Sequence, residues 1–154
     1  MGLSDLLTQE GVIHNLNARC KRDALQLLAV AAGNIVDLPA SEILSTLMER
    51  EQLGSTGVGD GVAIPHGKIA GLNQITGLLA RLEQPIEFDA LDDQPVDLMF
   101  LLLAPDNATA AHLKALARVS RLLRDPATRD ALRGADTADA IFSIATTQAK
   151  PNAA

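Results

Sequence analysis

The sequence predicts an α/β fold: a single-domain sandwich with a central mixed β-sheet flanked by helices. Three observations carry that prediction. The chain has 154 residues, 47% of them apolar, which suits one domain with its own core. Residues Val96 to Leu103 are apolar at almost every position, as expected of a central strand covered on both faces. Segments of strand type are interspersed with segments whose apolar residues recur at helical spacing, which argues for helices layered on a sheet. The core must be aliphatic, since there is no Trp, no Tyr and only three Phe. The expected domain is residues 1–146, followed by a polar, flexible tail, 147–154, that contains Pro151.

Taken in order, Val12 to Leu16 reads as a short strand. Cys20 to Val36 reads as a helix, with Ala24, Leu25, Leu28, Ala31, Ala32 and Ile35 along one face and Asp37 and Pro39 breaking it. Ser41 to Gln52 is a second helix, buried through Ile43, Leu44, Leu47 and Met48 and stopped before Gly54. A glycine-rich stretch, Gly54 to Gly61, precedes a short buried strand, Val62 to Pro65, which is expected to stop at His66-Gly67. Ile75 to Leu82 reads as a strand, with Pro85 and the pair Asp92-Asp93 marking turns. After the central strand, Asn107 is placed to cap a helix from Ala108 to Arg124. Two shorter helices, around Ala127 to Leu132 and Thr137 to Ala145, complete the chain.

Composition excludes several functions. A formal net charge of −6 disfavours nucleic acid as the main ligand, because phosphate backbones demand a basic surface. It equally disfavours charge-driven binding to an anionic membrane. The longest apolar run, Leu98 to Ala104, falls far short of the roughly 20 residues a membrane span needs, so no membrane insertion is expected. The opening Met-Gly-Leu-Ser-Asp lacks the regions of a secretory signal, and Cys20 is the sole cysteine. These features point to a cytoplasmic protein without disulfide or cysteine–metal chemistry.

The segment Arg50 to Lys68 is the richest in chemical signals. Four glycines fall within the eight residues Gly54-Ser-Thr-Gly-Val-Gly-Asp-Gly61, enough for backbone N–H groups, those of Gly57 and Gly59 among them, to converge on an anion. Nucleotide motifs fail the spacing test. A Walker A loop ending at Gly67-Lys68 would need glycine at Val62 and a hydroxyl residue at Ile69. A dinucleotide fingerprint starting at Gly57 and Gly59 would also need glycine at Val62.

Pro65-His66-Gly67 places a histidine on constrained backbone without bulky neighbours. Neutral imidazole is a nucleophile near pH 7, and its tautomer depends on what the second nitrogen bonds. The tripeptide alone is equally a histidine in a tight turn. Arg50, in the last turn of its helix, carries a planar fork suited to phosphate, or is a surface arginine favoured by the helix dipole. His112 follows the central strand and can converge with His66 where strands end, or is a half-buried helix histidine. His14 has no supporting context and reads as surface.

The stretch Gly54-Ser-Thr-Gly-Val-Gly-Asp-Gly-Val-Ala-Ile-Pro-His-Gly-Lys68 resembles the active-site signature of the IIA components of the bacterial phosphotransferase system, mannitol/fructose class. Leu3-Ser-Asp-Leu-Leu7, Pro95-Val-Asp-Leu-Met-Phe-Leu-Leu-Leu-Ala-Pro105 and Ala111-His-Leu-Lys-Ala-Leu116 also fall where that family has counterparts. The nitrogen-regulatory branch is the most similar, although Asp106, Asn107 and the alanines after them match more loosely. The resemblance implies that His66 is the phosphorylated histidine, through Nε2, His112 the second active-site histidine and Arg50 the arginine before the glycine loop. Ser55 and Thr56 correspond to small hydroxyl residues beside the site. It further implies transfer from an HPr-like phosphocarrier of the NPr type, regulation of cytoplasmic proteins, and no metal or cofactor. Two other readings stay open: a sugar-specific IIA feeding a fructose or mannitol transporter, and a non-catalytic anion-binding module. The lack of a transporter-like segment in the chain favours regulation over the first.

Overall fold

The computed structural model describes residues 3–148. The element order is a 3-10 turn at Leu3–Asp5, then β1 (Leu7–Leu16), α1 (Lys21–Val36), α2 (Ala40–Gln52), β2 (Gly57–Gly59), β3 (Val62–Ala63), β4 (His66–Ile69), β5 (Thr76–Ile86), β6 (Val96–Pro105), α3 (Thr109–Arg124), α4 (Pro126–Gly134) and α5 (Ala138–Gln148). Of the expected tail, Thr147 and Gln148 belong to α5 and the remainder lies outside the described residues.

The strands form one six-stranded mixed sheet in the order β1-β5-β6-β3-β2, with β4 also pairing β6. The β1–β5, β3–β6 and β4–β6 pairs are parallel; β5–β6 and β2–β3 are antiparallel. The predicted α/β sandwich is therefore the observed fold. The central position of β6 explains its unbroken apolar run, because alternate side chains must be apolar on both faces. Met99, Leu101 and Leu103 enter one core with Leu25 and Leu28 of α1 and Ile43 and Leu47 of α2. Leu98, Phe100 and Leu102 enter the opposite core with Val119 of α3, Leu132 of α4 and Ile141 of α5. Each fully buried leucine contributes about 1.5–3 kcal/mol relative to exposure.

Some boundaries differ from expectation, each for a local reason. β1 starts at Leu7, five residues early, because its exposed positions Thr8 to Glu10 are polar and weaken the apolar signal. Pro85 lies inside β5 and marks no turn. Between the pairs Arg81–Leu98 and Ile86–Val96 the two strands lose register, and a proline without an N–H is tolerated at such an irregularity. Asn107 does not cap α3. The turn leaving β6 closes through Ala108 N–H to Pro105 O, so Ala108 occupies the N-cap position without a side-chain bond. Asp125 does cap α4, accepting from the Thr128 N–H, with Pro126 in the first turn.

The largest difference falls at the histidine. The strand beginning at Val62 was expected to stop at Pro65, yet the chain resumes pairing at His66. Val62 opposes Leu98, Ala63 opposes Met99, His66 opposes Leu102 and Gly67 opposes Leu103, so one register continues across the gap. Pro65 removes a donor from the ladder, but its carbonyl still accepts from Leu102 N–H at 2.9 Å.

Candidate active site

The break at Ile64-Pro65 orients the ring of His66. The Ile64 N–H is bonded to Thr56 O at 2.9 Å, toward β2. The Ile64 carbonyl lies 2.8 Å from His66 Nδ1. A carbonyl only accepts, so Nδ1 carries the proton and Nε2 keeps its lone pair. Arg50, in the last turn of α2, points Nε–H at that lone pair across 3.3 Å. Its Nη1 donates to Gly54 O at 2.9 Å, which holds the guanidinium between the glycine loop and the ring.

The half-buried His66 ring is held below the ordinary imidazole pKa. Desolvation is the leading cause; the Ile64 bond opposes it, the Arg50 charge adds to it and the Glu51 charge opposes it. The result is a neutral ring with a defined nucleophilic nitrogen at pH 7.

His112 comes from the first turn of α3, beyond the end of β6, and its ring meets His66 edge-on, with centroids 5.6 Å apart and planes at 69°. It is only 6% exposed. Its pKa is also lowered, first by desolvation, then by repulsion from His66 when that ring is protonated and by the Lys68 charge. Its Nε2 is buried with no hydrogen-bond partner. A buried orphan nitrogen costs free energy unless something else uses it.

Lys68 and Glu51 complete the neighbourhood, and sequence reading assigned a role to neither. Lys68, two residues after His66 on β4, donates to Thr109 Oγ1 at 2.6 Å and ties the strand to the start of α3. It stood inside the quoted motif, where its spacing on a strand would have placed it on His66's face. Glu51 directly follows Arg50 and is 9% exposed. Its Oε1 takes the Lys21 ammonium at 3.0 Å and the Thr56 N–H at 3.0 Å, while Oε2 takes the Thr56 hydroxyl. Lys21 in turn sits 4.7 Å over the ring of Phe88. A helix-terminal glutamate gives no sequence signal of such burial.

The structure therefore brings His66, His112 and Arg50 together, as the sequence reading expected. The other singled-out residues have protein partners. Ser55 Oγ donates to Phe88 O at 2.8 Å and accepts from Gly57 N–H at 3.0 Å. Thr56 is pinned by Glu51. Gly57 lies against Ala90, and Gly59, at φ +107°, ends β2 beside Asp92, just before the Asp60-Gly61 turn of the β2–β3 hairpin. Gly67 has a reason beyond an open approach to the ring: a Cβ there would lie 2.5 Å from Thr46 Cγ2, so glycine lets α2 pack onto β4 and bring Arg50 to His66. His14 is exposed, as expected.

Comparison with known proteins identifies the family. Residues 5–147 match the family model described as phosphoenolpyruvate-dependent sugar phosphotransferase system, EIIA 2. The chain is 49% identical to the nitrogen regulatory protein of Bradyrhizobium diazoefficiens over 144 residues, covering 94% of both chains. It is 37% identical to that of Escherichia coli (strain K12), covering 99% of this chain and 94% of the other. The crystal structure of nitrogen regulatory protein IIA-Ntr from Neisseria meningitidis superposes with a TM-score of 0.89 at 33% identity, covering 94% of this chain and 99% of that one. No helix among the described residues is long and apolar enough to cross a membrane. Since the family match takes in the whole sheet and every residue of the two-histidine site, this chain belongs to the EIIA type 2 family of the phosphoenolpyruvate-dependent sugar phosphotransferase system.

Proposed function

We propose that this chain is a nitrogen-regulatory phosphocarrier: His66 Nε2 accepts a phosphoryl group from the phosphohistidine of an HPr-like, NPr-type protein, and the state of His66 regulates cytoplasmic partners. The observation that carries the reading is the fixed polarity of the ring, Nδ1–H to Ile64 O and the Nε2 lone pair toward Arg50. The similarity to nitrogen regulatory proteins supports the branch.

In the reaction the Nε2 lone pair attacks phosphorus in line with the donor's N–P bond. That bond breaks and its electron pair stays on the donor nitrogen, while the Nε2–P bond forms. The transition state is loose, so the protein mainly positions the reactants and stabilises charge. Nδ1 keeps its proton, and the positive charge that develops on the ring strengthens the bond to Ile64 O. Arg50 must release Nε2 for attack; the same guanidinium then meets the phosphoryl oxygens, with Lys68 and the orphan His112 Nε2 as further groups on that side.

The test is incubation with the phosphorylated carrier followed by peptide mapping. Acid-labile phosphate on His66, absent in His66→Ala, is expected. Failure of the wild-type chain to take up phosphate would leave the anion-binding reading. Rapid drainage of the phosphate into a sugar transporter component, with no partner sensitive to it, would favour the sugar-specific one.

A further inference from the structure

We propose that the outward face of α3 is a docking surface for an acidic protein partner, and that phosphate on His66 weakens this docking. The second half rests on the phosphocarrier reading; the first does not.

α3 buries His112, Ala115, Val119, Leu122 and Leu123. Its other side carries Lys114, Arg118, Arg121 and Arg124, and the helix contains no acidic residue. With a net charge of −6 for the chain, α3 alone stands at +4 and everything outside it at −10, so this helix is a cationic element on an anionic protein. Among the described residues no hydrogen bond or ion pair involves the head groups of these four cations. Like charges three and four residues apart oppose helix formation. The helix dipole accounts for Arg121 and Arg124 in the last turn, but not for Lys114 and Arg118. An uncompensated stripe on a well-formed helix suits a partner that supplies the missing carboxylates.

The dimensions identify the kind of partner. Ten residues separate Lys114 from Arg124, a rise of about 15 Å, which matches two to three turns of an acidic helix. A nucleic acid or an anionic bilayer would extend past the stripe onto surface of its own sign. Leu113, 62% exposed, adds an apolar anchor beside the cations. It directly follows His112, whose ring adjoins His66. A phosphoryl group on His66 would therefore add nearly two negative charges at the start of the stripe and repel an acidic partner.

A fluorescein-labelled synthetic helix with glutamates at i, i+4 and i+7 and one leucine serves as the probe, titrated by anisotropy onto the full chain at 50 and 200 mM salt. Wild-type protein is expected to bind at least tenfold more tightly than Arg118→Glu/Arg121→Glu. The control Arg19→Glu/Arg22→Glu, with the same charge change around the start of α1, is expected to match wild type. Amide shift changes should concentrate between residues 113 and 124. Phosphorylated protein, verified by mass, should bind at least threefold more weakly. Equal binding by wild type and the α3 variant overturns the docking surface, as does tighter α3-dependent binding of phosphatidylglycerol vesicles or a 20-nucleotide RNA. Equal binding by the verified phosphorylated form overturns the switch alone. Absence of any phosphate on His66 removes the switch together with the phosphocarrier reading, while the peptide titration still decides the surface.

Discussion

The Nδ1 atom of His66 lies 2.8 Å from the carbonyl oxygen of Ile64, two residues earlier on the same interrupted strand. In the parallel ladder it is the Pro65 carbonyl that serves β6, through Leu102 N–H, which leaves the Ile64 carbonyl to hold the ring. Backbone geometry therefore sets the tautomer, and no side-chain orienter is needed. The same interruption places Nε2 in front of Arg50. A proline that removes one ladder bond thus fixes the direction in which the imidazole lone pair points.

Both site histidines are held below the ordinary value of 6.5, and desolvation leads in each case. A lowered imidazole pKa means that the unfolded chain binds more protons than the folded one below about 6.5. Stability should thus be full above that pH and decline as pH falls through the folded values. Urea midpoints measured from pH 7.5 to 5 should drop for wild type and drop less for the His66→Gln/His112→Gln variant. Phosphate acceptance should persist somewhat below pH 6.5 before protonation of Nε2 stops it. Parallel stability curves for the two proteins would contradict the assignment.

Arg50→Lys keeps the charge but cannot reach His66 Nε2 and Gly54 O with two directed N–H groups at once. Transfer should slow by about tenfold or more, a loss of roughly 1.4 kcal/mol in transition-state stabilisation. Stability should change by less than about 0.5 kcal/mol, as for most partly exposed positions. Single-turnover transfer monitored beside thermal melts separates the two effects.

His112 presents the opposite profile. Its unpartnered buried Nε2 is a burden to the folded state of about 1–3 kcal/mol. His112→Leu, of similar volume, should be neutral or stabilising while transfer into or out of His66 falls. A residue kept for packing alone would lose stability and leave transfer intact, so paired melts and transfer rates decide its role.

Gly67→Ala tests how the site is assembled. The added methyl group would press on Thr46 Cγ2 at 2.5 Å and move α2 away from β4, at a cost of about 1–3 kcal/mol. Because α2 carries Arg50, transfer should fall as well. Thr46→Ser removes the opposing methyl, so the Gly67→Ala/Thr46→Ser double variant should recover most of both losses. No recovery would locate the fault elsewhere, in the β4 backbone itself.

Much of this was legible before any coordinates. The apolar run at Val96 to Leu103 identified the central strand because a strand covered on two faces has no polar positions to hide it. Pro65-His66-Gly67 and the glycine stretch pointed to the place where His66, Arg50 and His112 meet. What stayed hidden depended on three-dimensional register. Pro65 looked like a strand terminator, because sequence does not reveal that pairing resumes in the same register at His66. Gly67 looked like a clearance for an incoming molecule, because Thr46, some twenty residues earlier, is its neighbour only through the packing of α2 on β4. Asn107 looked like a cap because capping preferences do not register that a turn has already consumed the residue.

Glu51 was hidden for the same reason, and it carries the last prediction. Glutamate at a helix end is ordinarily solvated, but here its carboxylate gathers Lys21, the Thr56 N–H and the Thr56 hydroxyl in a buried pocket. These bonds tie the end of α2 to the start of the glycine loop, between Arg50 and the strand that bears His66. Its negative charge also favours a positive His66 ring, the form the ring would approach in the proposed transfer to Nε2. Glu51→Gln preserves shape and can still accept one bond from Thr56, but it leaves Lys21 without its counter-charge. A destabilisation of about 1–3 kcal/mol is expected, below the range for fully buried pairs because Lys21 retains some solvent contact. The titration midpoint of His66, followed by its ring C–H resonances, should move lower still. A purely structural role would reduce stability and leave that midpoint where it is. Lys21→Met, which removes the cation and keeps Glu51, should move the midpoint upward, and a shift in the same direction for both variants would rule out the electrostatic role.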